Sequence, residues 1–165
     1  MRSTILHWQE ERGNSGTMDE IRVKIRIENG REPVYMTEGS AGADIFSSEE
    51  RVIQSGETAL IKTGIFIALP AGYECQIRPR SGLALKKQIT ILNSPGTIDS
   101  DYRGEIGIIM HNLSDSPFTV KKDDRIAQMV FAPVVKARFI ESDLEDTQRS
   151  SGGFGHTGIN GKSDD

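Results

Sequence analysis

Ile21-Arg22-Val23-Lys24-Ile25-Arg26-Ile27-Glu28 decides the fold class. Four β-branched apolar side chains alternate with four charged ones, the two-residue period of a strand with one covered face. Outward from this stretch, short β-rich runs recur at Ala59–Leu69, Glu74–Ile77, Ile89–Asn93, Glu105–Leu113, Phe118–Val120 and Ile126–Phe139. Turn chemistry separates them at Gly39–Gly42, Ser55-Gly56, Pro70–Gly72, Asn93–Gly96, Ser114–Pro117 and Lys121–Asp124. No segment repeats, and no stretch carries a helical stripe longer than one turn. Many short strands at regular intervals predict an all-β sandwich, barrel or jelly roll.

Past about Ile140 the pattern stops. Glu141–Ser151 is acidic and polar, and Gly152-Gly153-Phe154-Gly155-His156-Thr157-Gly158 is dense in glycine. Residues 18–140 are therefore expected to form one β domain and residues 141–165 a flexible arm. Residues 1–17 are polar and without period, although they hold the one tryptophan, Trp8. They read as an extension or a misassigned start, and as neither a signal nor a transit peptide.

The length of 165 residues suits one domain with a real core. Hydrophobic residues make up 36% and aromatics 6%, lean for a large monomeric core, so burial between subunits is expected. A net charge of -4 argues against general binding to nucleic acid or to a membrane, whose anionic surfaces select basic proteins. No apolar run reaches membrane-spanning length. The single cysteine, Cys75, cannot form an internal disulfide and needs no oxidising compartment; it reads as a strand residue rather than a nucleophile.

Five segments combine polar residues and glycine at strand ends, where a β scaffold displays chemistry. In Ala41-Gly42-Ala43-Asp44-Ile45, Asp44 is a turn residue or a site acid. In Arg78-Pro79-Arg80-Ser81-Gly82-Leu83-Ala84, a planar guanidinium, a hydroxyl and open backbone N–H groups suit phosphate oxygens, and a solvated surface turn is the plain alternative. The long hairpin Asn93-Ser94-Pro95-Gly96-Thr97-Ile98-Asp99-Ser100-Asp101-Tyr102-Arg103-Gly104-Glu105 offers backbone groups to a base edge, an aromatic ring to a sugar and an acid to a water; equally, it is an ordinary hairpin. In Asp124-Arg125-Ile126-Ala127-Gln128, Arg125 suits a structural ion pair and Gln128 interrupts an apolar run. In the tail, Arg149 and four glycines can wrap an anion, but no Walker lysine or helix follows.

Taken together and in this order, the five segments resemble the motifs of the trimeric dUTPase family, from about Asp19 to Gly158. Pro79-Arg80-Ser81-Gly82, Ile98–Glu105 and Gly152-Gly153-Phe154-Gly155 are the most specific. The resemblance implies a distorted jelly roll, a homotrimer with active sites shared between subunits, and Mg²⁺ as cofactor. It implies cytoplasmic hydrolysis of dUTP to dUMP and pyrophosphate, limiting uracil in DNA and supplying dUMP for thymidylate synthesis. It further implies a catalytic set of Asp99, Asp44 and Gln128. Asp99 would hold the attacking water and the 3′-hydroxyl, and Asp44 would contact waters around phosphate-chelated Mg²⁺. Arg80, Ser81, Gly82 and Gln128 would bind the α- and β-phosphates. Asn93 and Thr97 belong to the hairpin that reads uracil, and Tyr102 would pack on deoxyribose. Arg149, Gly155, His156 and Thr157 would close on the γ-phosphate while Phe154 stacks over uracil. Two residues depart from the family pattern. Ser150 follows the tail arginine where glycine is common, and His156 stands where serine is common; His156 adds an imidazole that titrates near neutrality.

Three rivals bracket this reading. A dCTP deaminase of the same fold needs a glutamate at the position matching Ile109. A zinc deaminase needs more than one cysteine. A non-catalytic nucleotide-binding relative would lack Asp99 or the tail arginine, and both are present.

Overall fold

The computed structural model describes residues 20–147 and 150–151. Among them are eleven strands and one short helix. The strands are β1 (Lys24–Ile27), β2 (Ala43–Phe46), β3 (Arg51–Ile53), β4 (Thr58–Lys62), β5 (Ile65–Ala68) and β6 (Tyr73–Arg78). Helix α1 (Ser81–Lys87) follows, then β7 (Ile89–Ile91), β8 (Gly96–Ile98), β9 (Gly107–Asn112), β10 (Phe118–Val120) and β11 (Arg125–Pro133). The chain divides into two units, Met1–Val135 and Lys136–Asp165. The described residues of the second form neither helix nor strand.

Every strand pairing is antiparallel. One four-stranded sheet runs β2-β11-β6-β8 and a three-stranded sheet runs β4-β9-β7; β1-β5 and β3-β10 complete a distorted jelly roll. Its core is rich in isoleucine, whose branched Cβ suits a pleated surface. Ile45, Ile53, Ile61, Ile65, Ile106 and Ile108 are fully buried, with Met110 and Met129 filling between them. Alternation places Ala59 and Ile61 of β4 and Ile108 and Met110 of β9 inward, leaving Leu60, Lys62, Gly107 and Ile109 on the outer face.

Three local features depart from the sequence reading. The run Ala59–Leu69 is two strands, because Gly64 turns the chain at φ +66°. A Cβ there would run into the Glu28 carbonyl, so only glycine fits without strain. The second motif opens helix α1, which is too short to bury any residue and so shows no apolar stripe. The alternation that announced β1 is real, but Ile25 and Ile27 are each 40% exposed in the single chain.

Candidate active site

The cleft around Asp44 is built where β2, β11 and β6 lie side by side in the four-stranded sheet. Asp44 is gripped on both sides through its backbone. It exchanges hydrogen bonds with Val34 (2.8 and 3.1 Å) on one edge and pairs with Gln128 of β11 on the other. Its buried carboxylate receives Arg80 Nε at 3.2 Å and an Arg125 guanidinium nitrogen at 3.1 Å. Arg80 also donates to the Arg125 carbonyl at 2.9 Å. Arg80 occupies the N-cap of α1 in extended conformation and makes no side-chain cap, because a guanidinium only donates and cannot accept a helix amide; its side chain pairs with Asp44 instead.

Behind Arg80, the helix begins at Ser81-Gly82, and the first amides of a helix have no intrahelical acceptor. They sit beside two guanidiniums, an arrangement that favours anions. Gln128 closes the floor: its amide donates to the Pro79 carbonyl at 2.9 Å. A Cβ on Gly42 would come within 2.6 Å of the Gln128 Oε1, so glycine makes room for that amide. The resulting cleft, about 390 Å³, is lined by Asp44, Arg78, Arg80, Ser81, Gly82, Arg125 and Gln128, with Met36, Ser40, Ala41 and Val130 at its sides.

A second cleft, about 360 Å³, lies where β8 ends against the outer face of the three-stranded sheet. Thr97, Asp99, Tyr102 and Glu105 line it together with Leu60, Lys62, Ile98, Gly107 and Ile109. Its loop is braced internally. The Tyr102 amide donates to the Asp99 carbonyl at 3.1 Å, and Arg103 donates to the Ser100 and Tyr102 carbonyls at 2.8 and 2.7 Å. The Tyr102 hydroxyl donates to the Glu105 carbonyl at 3.0 Å. The Glu105 carboxylate in turn accepts the backbone amides of Thr63 (3.2 Å) and Gly64 (2.8 Å).

The expected site residues thus fall into groups. Asp44, Arg80, Ser81, Gly82 and Gln128 meet in the first cleft. Thr97, Asp99 and Tyr102 meet in the second, and the two clefts share no residue. Asn93 lines neither; it is exposed in the turn between β7 and β8. Arg149, Phe154, Gly155, His156 and Thr157 lie outside the described residues. Sequence reasoning gave no site role to Leu60, Lys62 or Arg78. The outward positions of β4 identify the first two once its pairing is known. Ile109 faces the second cleft, so the place where the deaminase reading needs a glutamate carries an apolar side chain.

Cys75 belongs to neither cleft. It is buried on β6, and burial pushes its thiol up to about 12, with the neighbouring Glu74 adding to the rise. A thiol so placed is a poor nucleophile.

Comparison with known proteins agrees with this geometry. The dUTPase family model matches residues 28–158. A deoxyuridine 5'-triphosphate nucleotidohydrolase of Alkaliphilus metalliredigens is 56% identical over 144 residues, covering 86% of this chain and 99% of that one. The enzyme of the same description from Chlamydia pneumoniae is 56% identical over 143 residues, covering 84% and 99%. Among solved structures, the Staphylococcus bacteriophage 80alpha dUTPase with dUPNHPP superposes with a TM-score of 0.76 at 27% identity, covering 84% of this chain and 99% of that one. A mutant dUTPase from phage phi11 of S. aureus, described with a structural Mg(II) ion, gives 0.70 at 25% identity, covering 76% and 99%. With the family model spanning both clefts and the relatives matching almost end to end, the chain belongs to the dUTPase family.

Proposed function

We propose that the cleft around Asp44 receives the phosphates of dUTP and that the cleft around Asp99 receives its sugar and the attacking water. The chain hydrolyses dUTP to dUMP and pyrophosphate, a dUTP diphosphatase reaction. The observation that carries the assignment of the clefts is the clamp of Asp44 between Arg80 and Arg125 beside the first turn of α1. Positioned guanidiniums and amides stabilise charge on phosphate oxygens, and a carboxylate takes the proton of the water attacking the α-phosphorus. Asp99 is that base, and Tyr102 packs against the deoxyribose. A 2′-hydroxyl collides with the Tyr102 ring, and a 5-methyl group finds no room beside the hairpin backbone near Asn93.

Mg²⁺ fits this donor set as an ion carried in by the triphosphate. Asp44 is the one carboxylate among the described residues lining its cleft, and both its oxygens already face arginines. Such a group suits contact with a metal's waters better than direct coordination. The bound ion would neutralise phosphate charge and fix the triphosphate's fold, while Arg80, Ser81, Gly82 and Gln128 hold its oxygens.

One α-phosphorus must meet both clefts, which within one chain share no residue. This supports a homotrimer in which Asp99 and Tyr102 of one copy complete the phosphate cleft of another. Leu60, Leu92 and Leu113, each more than half exposed, offer apolar surface for such contacts. The tail, from Arg149 to Thr157, closes over the γ-phosphate from a further copy, and Phe154 covers the uracil. The same reading puts the chain in the cytoplasm with no nucleic-acid or membrane partner; no described helix is long and apolar enough to cross a membrane.

The deciding experiment incubates the protein and Mg²⁺ with dUTP, dCTP, dTTP and UTP and analyses the products. Pyrophosphate and dUMP from dUTP alone are expected. Equal turnover of UTP or dTTP would overturn the hairpin as the specificity element, and release of ammonia from dCTP would restore the deaminase reading.

A further inference from the structure

The sugar-facing loop owes its shape to a side chain that does not itself have to touch the nucleotide. Tyr102 is 43% exposed, and nothing in a core holds its ring. Its hydroxyl is anchored on the carbonyl of Glu105, and Gly104 leaves the space in which the ring lies, since a Cβ there would run into the ring. Glu105 is therefore the foot of the loop. Its carboxylate accepts two amides from the corner between β4 and β5. That corner is stiff. Gly64 sits at φ +66°, a Cβ on Gly30 would strike the Thr63 carbonyl, and the buried Thr63 hydroxyl donates to the Ile106 carbonyl at 2.6 Å.

We infer that Glu105 is a positioning residue for sugar discrimination, fixing Tyr102 to the β4–β5 corner through a carboxylate-to-amide bracket. The inference rests on the assignment of Tyr102 to the deoxyribose. A single loop that bears both the acid and the ring must keep them in register, and positioning errors of about 1 Å are costly in catalysis. Neutral hydrogen bonds to the same amides would serve nearly as well. The feature that matters is an acceptor at the reach of the Glu105 Oε1, not its charge.

The test compares Glu105→Ala, Glu105→Asp and Glu105→Gln with Tyr102→Ala and the parent, measuring kcat and KM for dUTP and UTP and the thermal midpoint. Glu105→Gln keeps an acceptor of the same length and should hold the dUTP-to-UTP ratio of kcat/KM within about twofold. Glu105→Asp withdraws the acceptor by one methylene and Glu105→Ala removes it. Both should lower that ratio by about tenfold, the scale of one lost hydrogen bond. A purely structural role would lower the thermal midpoint and the active fraction without moving the ratio. If Tyr102→Ala relaxes the ratio but Glu105→Asp and Glu105→Ala do not, the positioning role is wrong while the sugar assignment stands. A ratio unmoved by Tyr102→Ala overturns the sugar assignment and the bracket with it.

Discussion

Asp99 shows how much depends on one carboxylate at a strand end. It stands one residue beyond β8, in the cleft of the sugar-facing ring, with its carbonyl tied into the loop. Replacing Asp99 with Asn keeps that shape and removes the proposed base. Turnover should fall by about 10²-fold or more while dUTP binding changes little, as steady-state kinetics and calorimetry on the variant can establish. Near-normal turnover would place the base elsewhere. Cys75 makes a contrasting residue-scale case. Its folded pKa lies near 12 against an ordinary 9.0, so the folded state holds the proton more tightly than the unfolded chain does. That contribution is fully present below pH 9.0 and is lost as pH rises toward about 12. Urea unfolding of the parent and of Cys75→Ala on either side of that pH should therefore show a steeper alkaline loss in the parent. Parallel slopes would mean that the thiol is not excluded from water.

At the scale of the element, the corner between β4 and β5 is tightly constrained. Gly64→Ala meets both a left-handed backbone and the Glu28 carbonyl, so a loss of more than about 1–2 kcal/mol is expected, read as a lower thermal midpoint. An unchanged midpoint would show that the corner can relax. This corner also shows where reading the sequence stops. Strand existence was legible because apolar residues alternate with charged ones in β1, and because short β-rich runs between turn signals mark β4 and β9. The break at Thr63-Gly64 was not, since the apolar pattern runs through it and only a tertiary contact demands the glycine. Helix α1 escaped for a different reason: two turns without a buried residue leave no periodic trace. For the candidate site, motif order singled out Asp44, Arg80, Gln128, Asp99 and Tyr102, each of which lines a cleft. Motif order alone does not separate them into two clefts, which follows from which strands pair, although the resemblance implied sites shared between subunits. Nor did membership of a motif bring Asn93 into either cleft.

For the whole molecule, the division into two clefts makes the assembly itself testable. An Asp99→Asn chain and a chain ending before Arg149 should each be nearly inactive, and co-refolding them should restore part of the activity. Mixed trimers that form and remain inactive would refute the shared site. Deleting residues 149–165 should by itself leave a folded assembly with little turnover, which sedimentation and a pyrophosphate assay can separate. The net charge of -4 also bears on how such an assembly meets its substrate. Among the described residues, the first cleft sets three guanidiniums, those of Arg78, Arg80 and Arg125, against the one carboxylate of Asp44. An acid so firmly seated acts as a resident counter-ion. It pairs with Arg80 and Arg125 while Arg78 bonds the Gln76 side chain, so chloride or free phosphate meets guanidiniums that are already engaged. A polyanion that arrives with its own cation need not evict it. If the cleft receives the triphosphate as proposed, it would favour a metal-laden polyanion over small anions before any base or sugar is read.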